Sequence, residues 1–172
     1  MKILRLLKWL SISLLIVVIA GLFVPERIVI PVAGATSNDW NHKTFWFEPW
    51  GSSGVHKGID IFGNMETPVI AATSGVVVYT GYLSKGGNVV AVMGPKWRIH
   101  YLAHLDTIAV NVGDWVERGE TIGTLGDTGN AKGKAPHVHY SIVSLIPIPW
   151  YMTTESQGWK KMFFLSPHDK LI

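Results

Sequence analysis

Hydrophobic and polar positions divide the chain into one long apolar stretch and a longer region of short, alternating runs. The apolar stretch carries no charge from Trp9 to Pro25. Three basic residues precede it: Lys2, Arg5 and Lys8. A basic start followed by an apolar body is typical of a targeting or membrane segment. We therefore predict an N-terminal membrane anchor over residues 1–25 and a folded domain over residues 26–172.

The length of the apolar stretch leaves two interpretations of the N-terminus open. A membrane-spanning helix needs about 17–25 apolar residues, whereas the core of a signal peptide has about 7–15. Trp9–Val24 falls between these ranges and reaches spanning length once Leu6 and Leu7 are included. A small-residue segment that resembles a cleavage site, Ala33-Gly34-Ala35, lies well beyond the apolar stretch. We expect an uncleaved single-pass anchor in the inner membrane with the domain on the periplasmic side. Secretion to the periplasm after cleavage is the alternative.

Beyond Pro25 the pattern predicts short β-strands separated by turns. Apolar, β-branched runs alternate closely with turns that contain Gly, Pro and Asn, as in all-β proteins. The predicted strands are Ile28–Val32, Pro68–Ala72, Gly75–Tyr82, Val89–Met93, Trp97–Leu105, Thr107–Val110, Thr121–Leu125 and a last run from His137 through Val143. Residues 34–54 and the C-terminal segment from about residue 150 are irregular and aromatic. The expected fold is an antiparallel β-sandwich or barrel preceded by one transmembrane helix.

Composition narrows the chemistry that the domain can perform. The chain has no cysteine, which excludes thiolate metal sites and disulfide bonds. The net charge of +3 is modest, and the sequence has no basic run with interleaved aromatic residues, so we expect no nucleic-acid partner. Eight tryptophans in 172 residues indicate an aromatic groove or interface in addition to a core.

Two histidines lie two residues apart in the last predicted strand. Alternate residues of a strand project to the same face, so His137 and His139 should point the same way, with backbones about 7 Å apart. A second stretch contributes His56 and Asp60, and its glycines favour an extended segment bent at Gly58 over a helix. His56, Asp60 and His139 would provide two imidazoles and one carboxylate, which suffice for a catalytic zinc ion.

The other histidines carry weaker signals. His104 lies in the apolar run Tyr101–Leu105, where a single histidine is usually a core or edge residue. His100 is expected on the same strand face as His104, and we assign it no role. His42 and His168 lie in predicted loops and are expected to be solvated.

The order of these segments resembles the lysostaphin-like (LytM-type) zinc metallopeptidases, which cut peptidoglycan peptides. His56-Lys57-Gly58-Ile59-Asp60 looks like the family's first zinc motif, and His137-Val138-His139 looks like its second. Tyr101-Leu102-Ala103-His104-Leu105 is similar to its catalytic-histidine strand. The resemblance extends over most of the chain, from about Pro31 to Val143.

The resemblance implies both a site and an activity. His56, Asp60 and His139 would bind one Zn²⁺, while His104 and His137 would act on the water and the scissile carbonyl. The fold would be the duplicated hybrid type of antiparallel β-fold. The enzyme would hydrolyse stem peptides or cross-links of peptidoglycan during cell-wall remodelling. The chain departs from the family at Ser141, where an acidic residue is usual.

The proton acceptor must come from outside the metal ligands, because the chain lacks the His-Glu-x-x-His glutamate of thermolysin-type enzymes. His137, beside the ligand His139, is the best candidate for this base. His104 would then donate a hydrogen bond to the developing oxyanion, although the two histidines could exchange roles.

Three other classes of function compete with the peptidase. The first is a catalytically inactive peptidoglycan-binding or regulatory module of the same fold. The second is a non-haem Fe(II) oxygenase, which also uses two histidines and a carboxylate but leaves His104 and His137 without a role. The third is a lipoyl-type carrier with Lys85 at an exposed tip. The sequence also leaves open whether a regulatory protein must open the site.

The loop before His137 predicts a substrate preference. Gly126–Pro136 contains Lys132 and Lys134, with only Asp127 to offset them. A basic rim beside the metal would attract the free carboxylates of peptidoglycan stems. The alternative is that the two lysines only keep a Gly-rich loop soluble.

Overall fold

An exposed apolar helix, α1, opens the fold. The computed structural model describes residues 2–172, and α1 spans Lys2–Phe23. Twenty-two residues make a helix about 33 Å long, which matches the roughly 30 Å hydrocarbon core of a bilayer. None of its side chains is buried, and by length and composition it could cross a membrane. The predicted N-terminal apolar helix is therefore confirmed.

Antiparallel β-structure makes up most of the remaining chain. Every strand pairing among the described residues is antiparallel, as predicted. The strands are β1 (Ile59–Phe62), β2 (Pro68–Ile70), β3 (Gly75–Leu83), β4 (Gly87–Gly94), β5 (Arg98–Ile108), β6 (Trp115–Val116), β7 (Thr121–Leu125), β8 (His137–Ser144) and β9 (Phe164–Leu165), and a short helix α2 (His168–Leu171) ends the chain. Their order is β1-β8-β5-β4-β3-β6, while β7 pairs with β2 and β5, and β9 pairs with β8.

The observed strands differ from the predicted ones at several places. Thr107 does not begin a new strand, because β5 continues without a break to Ile108. Ile28–Val32 does not form a full strand, and only the isolated bridge between Val32 and Val69 is present. Its backbone hydrogen bonds nevertheless follow one antiparallel register along residues 68–72, joining Val29 to Ala72, Pro31 to Ile70 and Ala33 to Pro68. β6 and β9 went unpredicted because two residues are too few to show a strand period.

The alternating residues of the strands form one core. The inner faces of β1, β5 and β8 pack against those of β3, β4 and β7. Their side chains are shielded from solvent there. Burying apolar surface in this way is the main stabilising contribution to such a fold. The largest fully buried apolar side chains are Tyr140, Ile59, Ile61, Leu102, Leu105, Ile122, Leu125 and Ile142.

A β-bulge interrupts β5 at His104. Between the Val90–Leu102 pair and the Asn88–Leu105 pair, β5 has one residue more than β4. His104 occupies the left-handed region with φ of 67°, a conformation that is uncommon for any residue except glycine. Bulges redirect the side chains that follow them and often occur beside active sites.

The bulge overturns the expectation that His100 and His104 share a face. His100 is fully buried, and its Nδ1 lies 2.7 Å from the hydroxyl oxygen of Tyr140 in the core. His104 points to the opposite side of the sheet, where its ring centroid lies 5.0 Å from that of His137. Alternation assigns every second residue to the same face. It therefore predicts the wrong face for residues at or beyond a point where the strand contains one extra residue.

Candidate metal centre and active site

Two neighbouring strands bring the two predicted zinc motifs together. In the β1–β8 pairing, Asp60 lies directly opposite His139, so the two side chains share one face. Gly58 permits this approach, since a Cβ atom there would clash with the carbonyl oxygen of Tyr140. The expected bend at this glycine follows from that contact, and it carries His56 over the end of β1.

Three donor atoms converge at this point. His139 Nδ1 lies 2.9 Å from Asp60 Oδ1 and 3.0 Å from His56 Nε2. His56 Nε2 lies 3.2 Å from the same carboxylate oxygen. The structure thus brings His56, Asp60 and His139 together as a group that could hold a metal ion.

Hydrogen bonds on the outer side of the two imidazoles assign their tautomers. His56 Nδ1 lies 3.1 Å from the carbonyl oxygen of Thr44, which can only accept, so this nitrogen carries the proton. The Ser141 hydroxyl donates to the carbonyl oxygen of Lys57 at 2.9 Å and accepts from His139 Nε2 at 2.9 Å. Each ring therefore turns an unprotonated nitrogen toward the other and toward Asp60.

This arrangement fits a bound cation. Three lone pairs, one of them on a carboxylate, face one another at about 3 Å, which is unfavourable unless a positive charge lies between them. Two imidazole nitrogens and one carboxylate oxygen suit zinc, and outer hydrogen bonds commonly orient histidine ligands in this way. The donor set and its supporting bonds are therefore compatible with a metal centre.

Electrostatics keep Asp60 in its ligating form. Burial by itself raises the pKa of this carboxyl, but when no metal is bound, hydrogen bonds and positive charge from protonated imidazoles of His139 and His56 outweigh burial and hold the pKa well below its usual range. His56 is buried, and the ring of Trp50 stacks on it with a centroid separation of 3.9 Å. The carboxylate is thus ionised at neutral pH and next to rings that have little freedom to move.

Two further histidines stand beside this group. His137 donates its Nδ1 proton to the carbonyl oxygen of Ala135 at 2.8 Å, and His104 donates its Nδ1 proton to that of Thr128 at 2.9 Å. In its neutral form each ring therefore leaves Nε2 unprotonated, and this nitrogen can accept a proton. The centroid of His104 lies 6.3 Å from that of His139. His137 and His139 share a face, as strand alternation predicted.

Burial tunes His104 toward its neutral form. Loss of solvent lowers its pKa to about 4, and the hydrogen bond to Thr128 opposes this shift only in part. A neutral imidazole at pH 7 can accept a proton, whereas a permanently charged one cannot.

An open cleft of about 1160 Å³ surrounds these five side chains. The aromatic part of its wall is formed by Trp50, Tyr101 and Phe164. Trp50 comes from the loop before His56, and Phe164 comes from the C-terminal segment. Trp40 and Trp46 are instead buried. Of the aromatic residues named here, Trp50 and Phe164 thus line the cleft, whereas Trp40 and Trp46 do not.

The cleft is basic. Lys57, Lys85 and Lys134 line it, and among its described lining residues Asp60 is the only acidic one. Lys132 was predicted to form a basic rim together with Lys134. It is instead exposed and does not line the cleft.

Two contributors to the site had no predicted role in it. Ser141 stood out only as a departure from the family, although its hydroxyl orients His139. Lys57 belongs to the first motif but was assigned no role of its own. Because Lys57 directly follows the predicted ligand His56, the sequence could have predicted that it lies in the cleft.

Comparison with known proteins agrees with this geometry. Residues 54–146 match peptidase family M23. The chain is 38% identical over 89 residues to peptidoglycan DD-endopeptidase ShyC of Vibrio cholerae, covering 52% of this chain and 20% of that protein. It is 37% identical over 91 residues to lysostaphin of Staphylococcus staphylolyticus, covering 52% of this chain and 18% of that protein.

A solved structure shows the same fold. The catalytic domain of lysostaphin from Staphylococcus simulans superposes with a TM-score of 0.56 at 30% identity, covering 71% of this chain and 84% of that domain. The chain thus matches about a fifth of the full length of its relatives but most of a catalytic domain. Because the family match spans more than half of the chain and includes both predicted zinc motifs, this protein belongs to peptidase family M23.

Proposed function

We propose that this protein is a zinc-dependent endopeptidase that hydrolyses peptide bonds in peptidoglycan stem peptides or cross-links. The convergence of three unprotonated donor atoms from His56, Asp60 and His139, beside two histidines with free Nε2 atoms, carries this proposal. ShyC, to which the chain is similar, is named a peptidoglycan DD-endopeptidase, and this supports the substrate class.

The side chains divide the chemistry between them. A zinc ion held by the three ligands would polarise the scissile carbonyl and lower the pKa of a bound water toward 7. His137 Nε2 would accept the proton of the attacking water and later pass it to the leaving amine. His104 would donate a hydrogen bond from Nε2 to the carbonyl oxygen as negative charge develops there, and for this role it must first take up a second proton from solvent against the burial that lowers its pKa. The two histidines could exchange these roles. The open cleft would hold the peptide extended on both sides of the bond.

Removal of the metal tests this function directly. The full chain in detergent should convert cross-linked peptidoglycan fragments to shorter ones, as seen by chromatography of the products. A zinc chelator should abolish cleavage, and added Zn²⁺ should restore it, because the ligand set has no other source of Lewis acidity. Binding of peptidoglycan without any cleavage at stoichiometric zinc would contradict the proposal and support the inactive module instead.

The anchor is part of the same proposal. α1 would cross the inner membrane once, with Lys2, Arg5 and Lys8 on the cytoplasmic side and the peptidase domain on the periplasmic side. Its spanning length and its lack of buried residues support this placement.

The basic cleft predicts a preference for stems that carry free carboxylates. Changing Lys85 and Lys134 together to Gln should raise KM for free-acid stem peptides about 2- to 30-fold, because exposed pairings contribute about 0.2–1 kcal/mol each. The value of kcat should change little, since both groups bind the substrate equally before and during reaction. Steady-state kinetics on synthetic stems would measure both constants.

Two controls make this prediction specific. The matched change of Lys43 and Lys132 to Gln removes the same charge from exposed residues that do not line the cleft. Amidated stems, which lack the free carboxylate, should respond to neither double change. An equal rise in KM for amidated and free-acid stems would show that these lysines do not recognise the substrate's charge.

A further inference from the structure

The end of α1 is held against the domain by a tryptophan. The indole N–H of Trp97 donates to the carbonyl oxygen of Val18 at 2.8 Å. The Trp97 ring occupies the space beside Gly21, where a Cβ atom would lie 2.5 Å from it. Val18 lies five residues before Phe23, or about 7.5 Å below the end of the helix. The indole therefore contacts α1 more than one turn inside its apolar length.

A second tryptophan lies on the other side of a crevice beside this contact. The crevice has a volume of about 270 Å³, and Gly21, Val24, Trp97 and Trp115 are among the residues that line it. Trp115 is 60% exposed, and its indole N–H donates to Glu117 at 2.7 Å. An aromatic ring open to one side and hydrogen-bonded on the other suits a membrane–water interface.

The connection between α1 and the domain is so short that the end of the helix must stay close to the domain. The Glu26 carboxylate forms an ion pair with Arg98 at the start of β5, and both side chains are largely buried. Only Val24 and Pro25 lie between Phe23 and Glu26, so the two anchored points are at most about 10 Å apart. A membrane crossed by α1 must therefore lie close to the part of the domain around Trp97.

We propose that the surface formed by Trp97, Trp115 and the crevice between them rests in the headgroup layer of a phospholipid bilayer. This inference depends on the proposed membrane-spanning role of α1. Apolar Val24 and Met93 also line the crevice and continue the apolar surface of the helix end onto the domain. Lys96 lines it as well and can contact lipid phosphates, while Glu117 is occupied by the indole of Trp115 and the hydroxyl of Ser74.

Single-cysteine labelling can measure this contact, because the natural chain has no cysteine. The full chain would be reconstituted in phosphatidylcholine–phosphatidylglycerol vesicles with an environment-sensitive fluorophore attached at Trp115→Cys. Tyr82→Cys is the matched control: Tyr82 is an aromatic residue, is 65% exposed and lies near the far end of β3. Met93→Cys gives a second position in the crevice if the first variant folds poorly.

The expected result is a difference in two kinds of quenching. Brominated lipids should quench the label at position 115, or at 93, at least about threefold more than the label at 82, and aqueous iodide should do the reverse. Equal quenching at the three positions would overturn the proposal. Protection from iodide without quenching by brominated lipid, together with a disulfide between two copies at position 115, would instead assign the surface to a second copy of the chain.

Failure of the anchor itself has a separate signature. If alkaline carbonate extracts the unmodified chain from the vesicles, α1 does not span the bilayer, and both the anchor and this surface contact are wrong. If the chain resists extraction but the label at 115 behaves like the label at 82, the anchor stands and the surface contact alone is overturned.

Discussion

We expect His139→Ala to abolish zinc binding and peptidoglycan cleavage together. His139 Nδ1 lies within 3.0 Å of the donor atoms of both His56 and Asp60, so its loss leaves only two protein ligands for the metal. Without the metal, the polarised carbonyl and the activated water are lost, and the rate should fall at least about 10³-fold. Metal analysis of the purified full chain and product chromatography would measure the two effects.

A matched histidine serves as the control for this variant. His42 is exposed and stacks on His168, away from the cleft, so His42→Ala should keep one zinc per chain and normal activity. Stoichiometric zinc in the His139→Ala protein would show that the metal, if present, is held by another set of residues.

A second pair of variants should separate metal binding from turnover. His104→Ala and His137→Ala should each retain zinc, because neither ring contributes a donor atom to the three-residue group. Each should lower kcat about 10²–10⁴-fold, the usual effect of removing a proton-transfer group or an oxyanion donor. Zinc content and kcat measured on the same preparation would test both statements.

The unusual backbone of His104 calls for an additional control. Its φ of 67° is strained for alanine, so a loss of activity could reflect local refolding rather than missing chemistry. Asparagine tolerates this conformation better than most residues, and His104→Asn should therefore keep the bulge while lacking the imidazole. If the Asn variant, or His137→Ala, turned over at the normal rate, that histidine would be structural.

Much of the candidate site could be predicted because it depends on simple strand geometry. His137 and His139 share a face through the two-residue period of β8, and Asp60 reaches His139 because β1 pairs with β8 in register. Gly58 marks the bend at which the two strands approach each other closely, and a glycine is visible in the sequence itself. Regular periods, turns and motif order therefore determine which of these side chains can meet.

The parts that escaped prediction depend on irregular or long-range features. A single added residue in β5 turns His104 into the cleft and separates it from His100, and no local pattern marks that bulge. Lys85 enters the cleft because the β3–β4 turn lies beside the bulge of β5, where its neighbour Gly86 accepts the backbone N–H of His104 at 2.7 Å. Contacts between distant segments of this kind leave no period in the sequence.

If α1 crosses the membrane as proposed, the two-residue connection between α1 and Glu26 limits where the protein can work. His104 follows Trp97 by seven residues along β5, a distance of no more than about 24 Å. In a chain that spans the membrane, the catalytic centre would travel at a nearly fixed height above the lipid and search for substrate in a plane. Peptidoglycan strands that lie farther from the membrane than this height would be out of reach. The distance between the membrane and the wall, in addition to affinity, would therefore decide which bonds are cut.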